Sequence, residues 1–162
     1  ADFVKMGAYT MATYLLNTDR PTKKLYKSPW FYTYKMFSTN LLGESFDTYV
    51  SGDTFEVGPY KDIPYLDATA ATSEDGSVLY ITVVNRHQDD AIKTDIQNVG
   101  RNGFKPGKVN VISIEGEVDE VFTYDKRDSY GYKEGTATIA KDGKLKYTFP
   151  AHSITQIAIP VK

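Results

Sequence analysis

The chain has 162 residues, 41% hydrophobic and 25% charged, enough to bury one core and typical of an ordinary globular domain. Its formal net charge is -2 with lysines scattered among acids, which gives no basic surface for nucleic acid or anionic lipid. Cysteine is absent, so disulfides and thiolate metal sites are excluded while the compartment stays open, and no apolar run approaches the roughly 20 residues of a membrane helix.

Residues 2–16, "DFVKMGAYTMATYLL", place Phe3, Val4, Met11, Tyr14 and Leu15 at helical spacing and predict a first helix, weakened at Gly7 by about 1 kcal/mol relative to Ala. It begins with almost no lead-in, more abruptly than a natural N-terminus does, and shows no signal-peptide pattern. The next segment, "NTDRPTKKLYK", is rich in breakers and charge, with room only for a very short strand at Leu25 and Tyr26. A second helix is predicted in "SPWFYTYKMFSTN": Ser28 is a capping residue, Pro29 suits the first helical position, and Gly43 would close it. Trp30, Phe31, Tyr34, Phe37 and Leu41 recur on one side, and Tyr32 with Met36 makes a second apolar strip. That face is too wide for a helix lying on a single surface.

After Gly43 the period drops from 3.6 to 2. Alternation is read around Phe46 to Val50, Leu66 to Ala70, Leu79 to Val83 and Ile92 to Ile96, and then in "KVNVISIEG", "TATIA", "KLKYTF" and "SITQIAIPV". Asp142-Gly143 marks a two-residue hairpin turn and "SEDGS" at 73–77 a longer one. Many short antiparallel strands with one wet face must close into a sandwich or barrel. The expected fold is mainly β, an antiparallel jelly-roll-like β-sandwich preceded by two helices, with a boundary between residues 1–43 and 44–162.

Candidate chemistry is sparse. The acids Asp89-Asp90, Glu115, Glu117 and Asp119-Glu120 fall at predicted turns and strand ends, as solvated loop charge does. His87 and His152 are the only histidines, too few for a histidine-rich metal site, and His152 reads as a hydrogen-bonded turn residue. No catalytic residue, metal ligand or cofactor site is assigned. In "TYDKRDSYGYKEG", Tyr124, Tyr130 and Tyr132 are candidates for a platform that stacks sugar rings, against the plainer reading of a polar loop with its tyrosines folded down. Arg86, beside Asn85 at a strand end, either ties the sandwich to a neighbour or belongs to a turn with Asn in a permissive conformation.

Four segments carry a resemblance. "KSPWFYTYKMFSTN" is similar to the last helix of the catalytic barrel in α-L-arabinofuranosidases of glycoside hydrolase family 51, and "ADFVKMGAYTMATYLL" to the barrel helix before it. "IPYLDATAATSEDGSVLYITVVNRH", with Val84, Asn85 and Arg86 at a strand end, and "FPAHSITQIAI" resemble that family's C-terminal domain. The resemblance implies that residues 1–43 are left from a (β/α)8 barrel and that the catalytic glutamates of a retaining hydrolase lie upstream of Ala1. It implies a partner in that barrel, packed on Trp30, Phe31, Tyr34, Phe37 and Arg86, an arabinose-containing polysaccharide as the parent's substrate, and a possible homo-oligomer. The other readings are a carbohydrate-binding module and the accessory sandwich of another barrel glycosidase. The resemblance also implies a sheet lacking one strand, its open edge a place for the 2–27 segment to settle.

Overall fold

The computed structural model describes residues 15–100, 103–117 and 119–161. A short hairpin of β1 (Leu16–Thr18) and β2 (Leu25–Lys27) leads into the helix α1 (Pro29–Asn40). From there the alternating sequence runs as strands, because only an extended backbone sends successive side chains to opposite faces. They are β3 (Ser45–Phe46), β4 (Thr54–Val57), β5 (Tyr60–Pro64), β6 (Leu66–Thr72), β7 (Val78–Asn85) and β8 (Ile92–Ile96). β9 (Gly107–Ile114), β10 (Lys133–Ile139), β11 (Leu145–Phe149) and β12 (Ser153–Pro160) complete the set.

Eight strands form one antiparallel sheet in the order β3-β6-β7-β12-β9-β10-β11-β8. Strand twist curls it, so that its two ends share one core. Leu66 and Ala70 of β6 and Ile81 and Val83 of β7 pack in one cluster with Leu145 and Phe149 of β11 and Ile157 and Ile159 of β12. Ile92 and Ile96 of β8 close that cluster from the far edge. This is the expected antiparallel β-sandwich. The face of β11 carrying Leu145, Tyr147 and Phe149 points inward and Lys146 and Thr148 point out, as their alternation requires.

Several local expectations are corrected. The predicted first helix, residues 2–16, lies outside the described residues as far as residue 14, and Leu16 at its expected end opens β1 instead. Among the described residues α1 is the one α-helix. Ser28 stands at its N-cap without a side-chain cap bond; its hydroxyl donates to the Leu15 carbonyl at 3.2 Å. Gly43 does not end the helix, which stops at Asn40 with the Leu41 amide bonded to the Phe37 carbonyl at 3.2 Å. What Gly43 serves is close approach: its amide donates to the Thr72 carbonyl at 2.9 Å, and a Cβ there would stand 2.3 Å from the Ser73 carbonyl oxygen.

The alternation around Phe46 to Val50 yields only the two residues of β3. Beyond it the chain keeps to the sheet edge by side chains, with the Thr48 hydroxyl donating to the Ala68 carbonyl at 2.8 Å and Val50 leaning on the core. The β4–β5 hairpin was not anticipated; its turn is Gly58-Pro59, with Gly58 at φ 56°. The Asp142-Gly143 turn has three loop residues rather than two, since Ala140 N–H donates to the Lys144 carbonyl and Gly143 takes φ 77°. The segment 17–27 does not cover a sheet edge: among the described residues β1 and β2 pair only with each other.

Candidate functional site

The two faces of the sheet are covered differently, and the second covering is where this molecule's chemistry concentrates. On β12, Ser153, Thr155, Ile157 and Ile159 face the core, while Ile154, Gln156 and Ala158 face outward. Gln156 is nonetheless 1% exposed. It sits mid-sheet, opposite Thr82 on β7 and Ile112 on β9. Its carboxamide donates to the Thr82 hydroxyl at 2.9 Å, and its carbonyl oxygen accepts from the Asn40 side chain at the end of α1. A buried amide with both ends bonded fixes the helix over one row of the sheet, because any slide strands a polar group without water.

The first turns of α1 are held by the loop that carries the tyrosines. The Tyr132 hydroxyl donates to the Tyr32 carbonyl at 2.7 Å, and the two rings meet edge to face with centroids 5.4 Å apart. Burial pushes the Tyr132 phenol above its ordinary value, and the neighbouring Tyr32 adds to this. Tyr124 meets Tyr26 of β2 at 5.8 Å, and the Arg127 guanidinium lies 4.3 Å over the Tyr124 ring. Tyr130 is 8% exposed; its hydroxyl donates to the Val121 carbonyl at 2.9 Å and accepts from the Thr123 amide at 3.0 Å. The three tyrosines proposed as a sugar platform therefore do not share one open face. Tyr130 closes its own loop, and Tyr124 and Tyr132 clasp β2 and α1.

Of the helix's two apolar strips, the narrow one goes inward. Met36 is 0% exposed, whereas Trp30 is 55%, Tyr34 39% and Phe37 36% exposed. Phe31 is half-buried, its ring edge against Tyr32 at 5.5 Å and the Lys27 ammonium 5.0 Å from its centroid. The two-sided pattern thus divides the helix between Met36, which is fully buried, and Trp30, Tyr34 and Phe37, which stay partly exposed.

Asn85 is buried in the sandwich, while Arg86 bonds across its surface. Arg86 donates to the Pro64 carbonyl at 2.9 Å and pairs with Asp67, bracing the junction of β5 and β6. Asn85 is 1% exposed, and its side-chain amide serves the carbonyls of Phe149, Pro150 and Asp90 at 2.9 to 3.1 Å. His152, at φ 34°, lies in the turn before β12, with its Nδ1 donating to the Gln88 carbonyl at 2.7 Å. His87 accepts the Asp90 amide on Nδ1 at 2.9 Å, which leaves the proton on Nε2, facing the Asp90 carboxylate at 3.4 Å. Beside these histidines lies an open depression of about 390 Å³, lined by Asp89, Glu115, Glu117, Lys133 and His152, in which Lys133 pairs with Glu115 at 3.2 Å. Among the described residues no cluster of three or more metal-ligating side chains is present, and no helix is long and apolar enough to cross a membrane.

A family model described as the alpha-L-arabinofuranosidase C-terminal domain matches residues 1–153. The probable alpha-L-arabinofuranosidase C of Aspergillus terreus is 32% identical over 136 residues, covering 80% of this chain and 25% of that protein. Among solved structures, the alpha-L-arabinofuranosidase of Thermotoga maritima in its arabinose complex superposes with a TM-score of 0.76 at 25% identity, covering 90% of this chain and 31% of that one. The GH51 alpha-L-arabinofuranosidase of Thermotoga petrophila gives a TM-score of 0.55 at 30% identity, with coverages of 62% and 20%. The chain thus spans about a quarter of the length of the curated relatives it matches. Helix, clasp and sandwich together make a chain that belongs to the family of α-L-arabinofuranosidase C-terminal domains.

Proposed function

We propose that these 162 residues are the joint and sandwich of a larger α-L-arabinofuranosidase, a retaining hydrolase that releases arabinofuranose from hemicellulose. In this reading residues 1–43 belong to the edge of the catalytic barrel, residues 44–162 are the sandwich, and the catalytic glutamates lie in the part of the parent outside this chain. The sandwich acts as a scaffold: it seats one barrel helix in a single register and presents the other face of that helix to the barrel. Trp30, Phe31, Tyr34 and Phe37 are the residues that meet it.

The observation that carries the reading is the division of α1, with Met36 fully buried and Trp30 more than half exposed. A large indole left more than half exposed on a helix is an apolar surface that suits contact with a neighbouring domain. The test is turnover of a chromogenic arabinofuranoside. This chain is expected to stay at background, and hydrolysis that disappears on replacing one of its own acidic residues would overturn the proposal. The carbohydrate-module reading loses its main support in the engagement of Tyr124, Tyr130 and Tyr132.

A further inference from the structure

The loop between β9 and β10 grips the chain on both sides of the point where α1 begins. Tyr124 meets Tyr26 on β2, just before Pro29, and Tyr132 meets Tyr32 in the first turn after it. The loop itself is tied down by its own bonds. Tyr130 is buried with its hydroxyl bonded to the Val121 carbonyl and the Thr123 amide, and a 3-10 turn at Arg127–Ser129 is closed by the amides of Lys126, Arg127 and Ser129 at 2.9 to 3.2 Å. Arg127 then fixes the ring that the loop holds out. Its guanidinium donates to the Tyr124 carbonyl at 2.9 Å and lies 4.3 Å over the Tyr124 ring, so the sandwich sets the position of that ring and the hairpin comes to it.

The hairpin is held less firmly. β1 and β2 have three residues each and, among the described residues, pair only with each other. A lone two-stranded hairpin is marginal in water, and here only Asn17 and Tyr26 of the two strands are half-buried. Its turn exposes Asp19, Arg20, Lys23 and Lys24 and keeps its shape through the Thr22 amide and hydroxyl on the Asp19 carboxylate.

The place of the hairpin in the parent rests on the proposed function, in which α1 is a helix of the catalytic barrel. In a (β/α)8 barrel every outer helix is entered from the C-terminal ends of the strands, the face where βα-loops build the active site. The hairpin runs into α1 through Ser28 alone and so belongs to that face. We infer that the sandwich reaches the rim of the parent's active site through this loop, with Tyr124 and Arg127 as positioning residues. They hold the hairpin, and its exposed turn meets the part of an arabinose-containing polysaccharide that extends beyond the catalytic pocket.

Tyr124→Ala removes the ring that both Tyr26 and Arg127 use. In the isolated chain, the Asp19 and Ser28 amides, which donate to the Lys24 and Leu15 carbonyls at 2.9 and 3.0 Å, are expected to lose protection from hydrogen exchange while those of β7 and β12 keep theirs. In the parent enzyme, KM for an arabino-oligosaccharide is expected to rise roughly fivefold with kcat within about twofold, and turnover of a chromogenic arabinofuranoside, which ends at the pocket, to stay within about twofold. Tyr124→Phe keeps the ring and is expected to restore both the protection and the KM. Unchanged protection of the hairpin, a fall in kcat on both substrates, or an unchanged KM for the oligosaccharide would each overturn the assignment. An unchanged KM beside a loosened hairpin removes the hairpin from the rim and leaves the domain reading standing. Turnover by the isolated chain removes the domain reading, and with it the rim, and leaves the clasp standing.

Discussion

The inner face of the sheet is covered by the sheet itself, and its outer face by α1. On the inside, Leu145, Phe149 and Ile157 are fully buried, and the contacts are almost wholly apolar. On the outside, the helix rests on a mixed surface where Gln156 links Asn40 to Thr82 and Tyr132 reaches the Tyr32 carbonyl. An apolar contact tolerates small shifts, whereas a buried amide pair does not, so the inner face supplies most of the stability and the outer face fixes position. That division suits a scaffold: the core keeps the sandwich folded whatever surrounds it, and the polar row determines where the helix sits.

The comparison breaks most decisively in the core. Phe149→Ala removes a fully buried ring between the two ends of the curled sheet and is expected to cost about 3 to 5 kcal/mol, enough to unfold a domain of ordinary stability. Thermal unfolding followed by circular dichroism measures it. A loss below about 1 kcal/mol would mean that the sandwich does not depend on that shared core.

On the outer face the cost is smaller and of another kind. Gln156→Leu keeps the volume but leaves the Asn40 amide and the Thr82 hydroxyl without their shared partner, and is expected to cost about 1 to 3 kcal/mol. The more telling readout is hydrogen exchange. Amides of α1 should lose protection in this variant while those of β7 and β12 keep theirs; equal loss in both would mean that the helix and the sheet unfold as one unit.

Much of this arrangement was legible in the sequence, because a period of 2 has one structural meaning once a face is buried: β6, β7, β8, β9, β11 and β12 all lie where alternation places them. The β4–β5 hairpin was missed although Gly58-Pro59 between two β-rich runs is a turn signal, and the bulge between Phe55 and Val57 is what blurs the alternation there. The width of the apolar face on α1 showed that it touches more than one surface, but not which strip goes where. Helical spacing fixes angles between side chains, not the position of the sheet. The tyrosines left two readings open for a related reason. A ring that stacks on sugar and one that clasps a helix read alike in sequence, and only Tyr132 bonded to a backbone 100 residues away tells them apart. Gly43 belongs here too, since a helix stop and a close approach to Thr72 call for the same residue.

Loosening the clasp is expected to have a modest effect that depends on pH. Tyr132→Phe removes one hydrogen bond, at a cost of about 1 kcal/mol near neutrality. The phenol must carry its proton to donate, and its pKa in the folded chain lies above the ordinary value near 10 because of burial and then Tyr32. A raised pKa of this kind gives stability that is fully present below about pH 10 and is lost as the pH climbs through the folded value. The gap in melting temperature between the two proteins should therefore be constant below about pH 10 and narrow above it. Tyr147, also raised by burial and then by Glu115, titrates equally in both proteins and cancels in the difference. A gap that widens in alkali would mean that the phenol is not the donor.

The smallest effect on stability is expected on the exposed side of α1, where the comparison predicts almost none. Trp30 and Phe37 are 55% and 36% exposed and take no part in the buried row, so Trp30→Gln with Phe37→Gln exchanges partly exposed rings for good helix formers. Each change should cost less than about 1 kcal/mol. Binding of a dye that reports apolar surface should fall sharply all the same, because these rings are the patch it would find. Trp30 is the only tryptophan, so its emission reads this face without interference. In the isolated chain it should be that of an indole in water and open to a soluble quencher, whereas in the parent enzyme it should be shielded. An indole already shielded in the isolated chain, or a double variant that loses as much stability as Gln156→Leu, would place the exposed strip in this domain's own core rather than at a joint with the barrel.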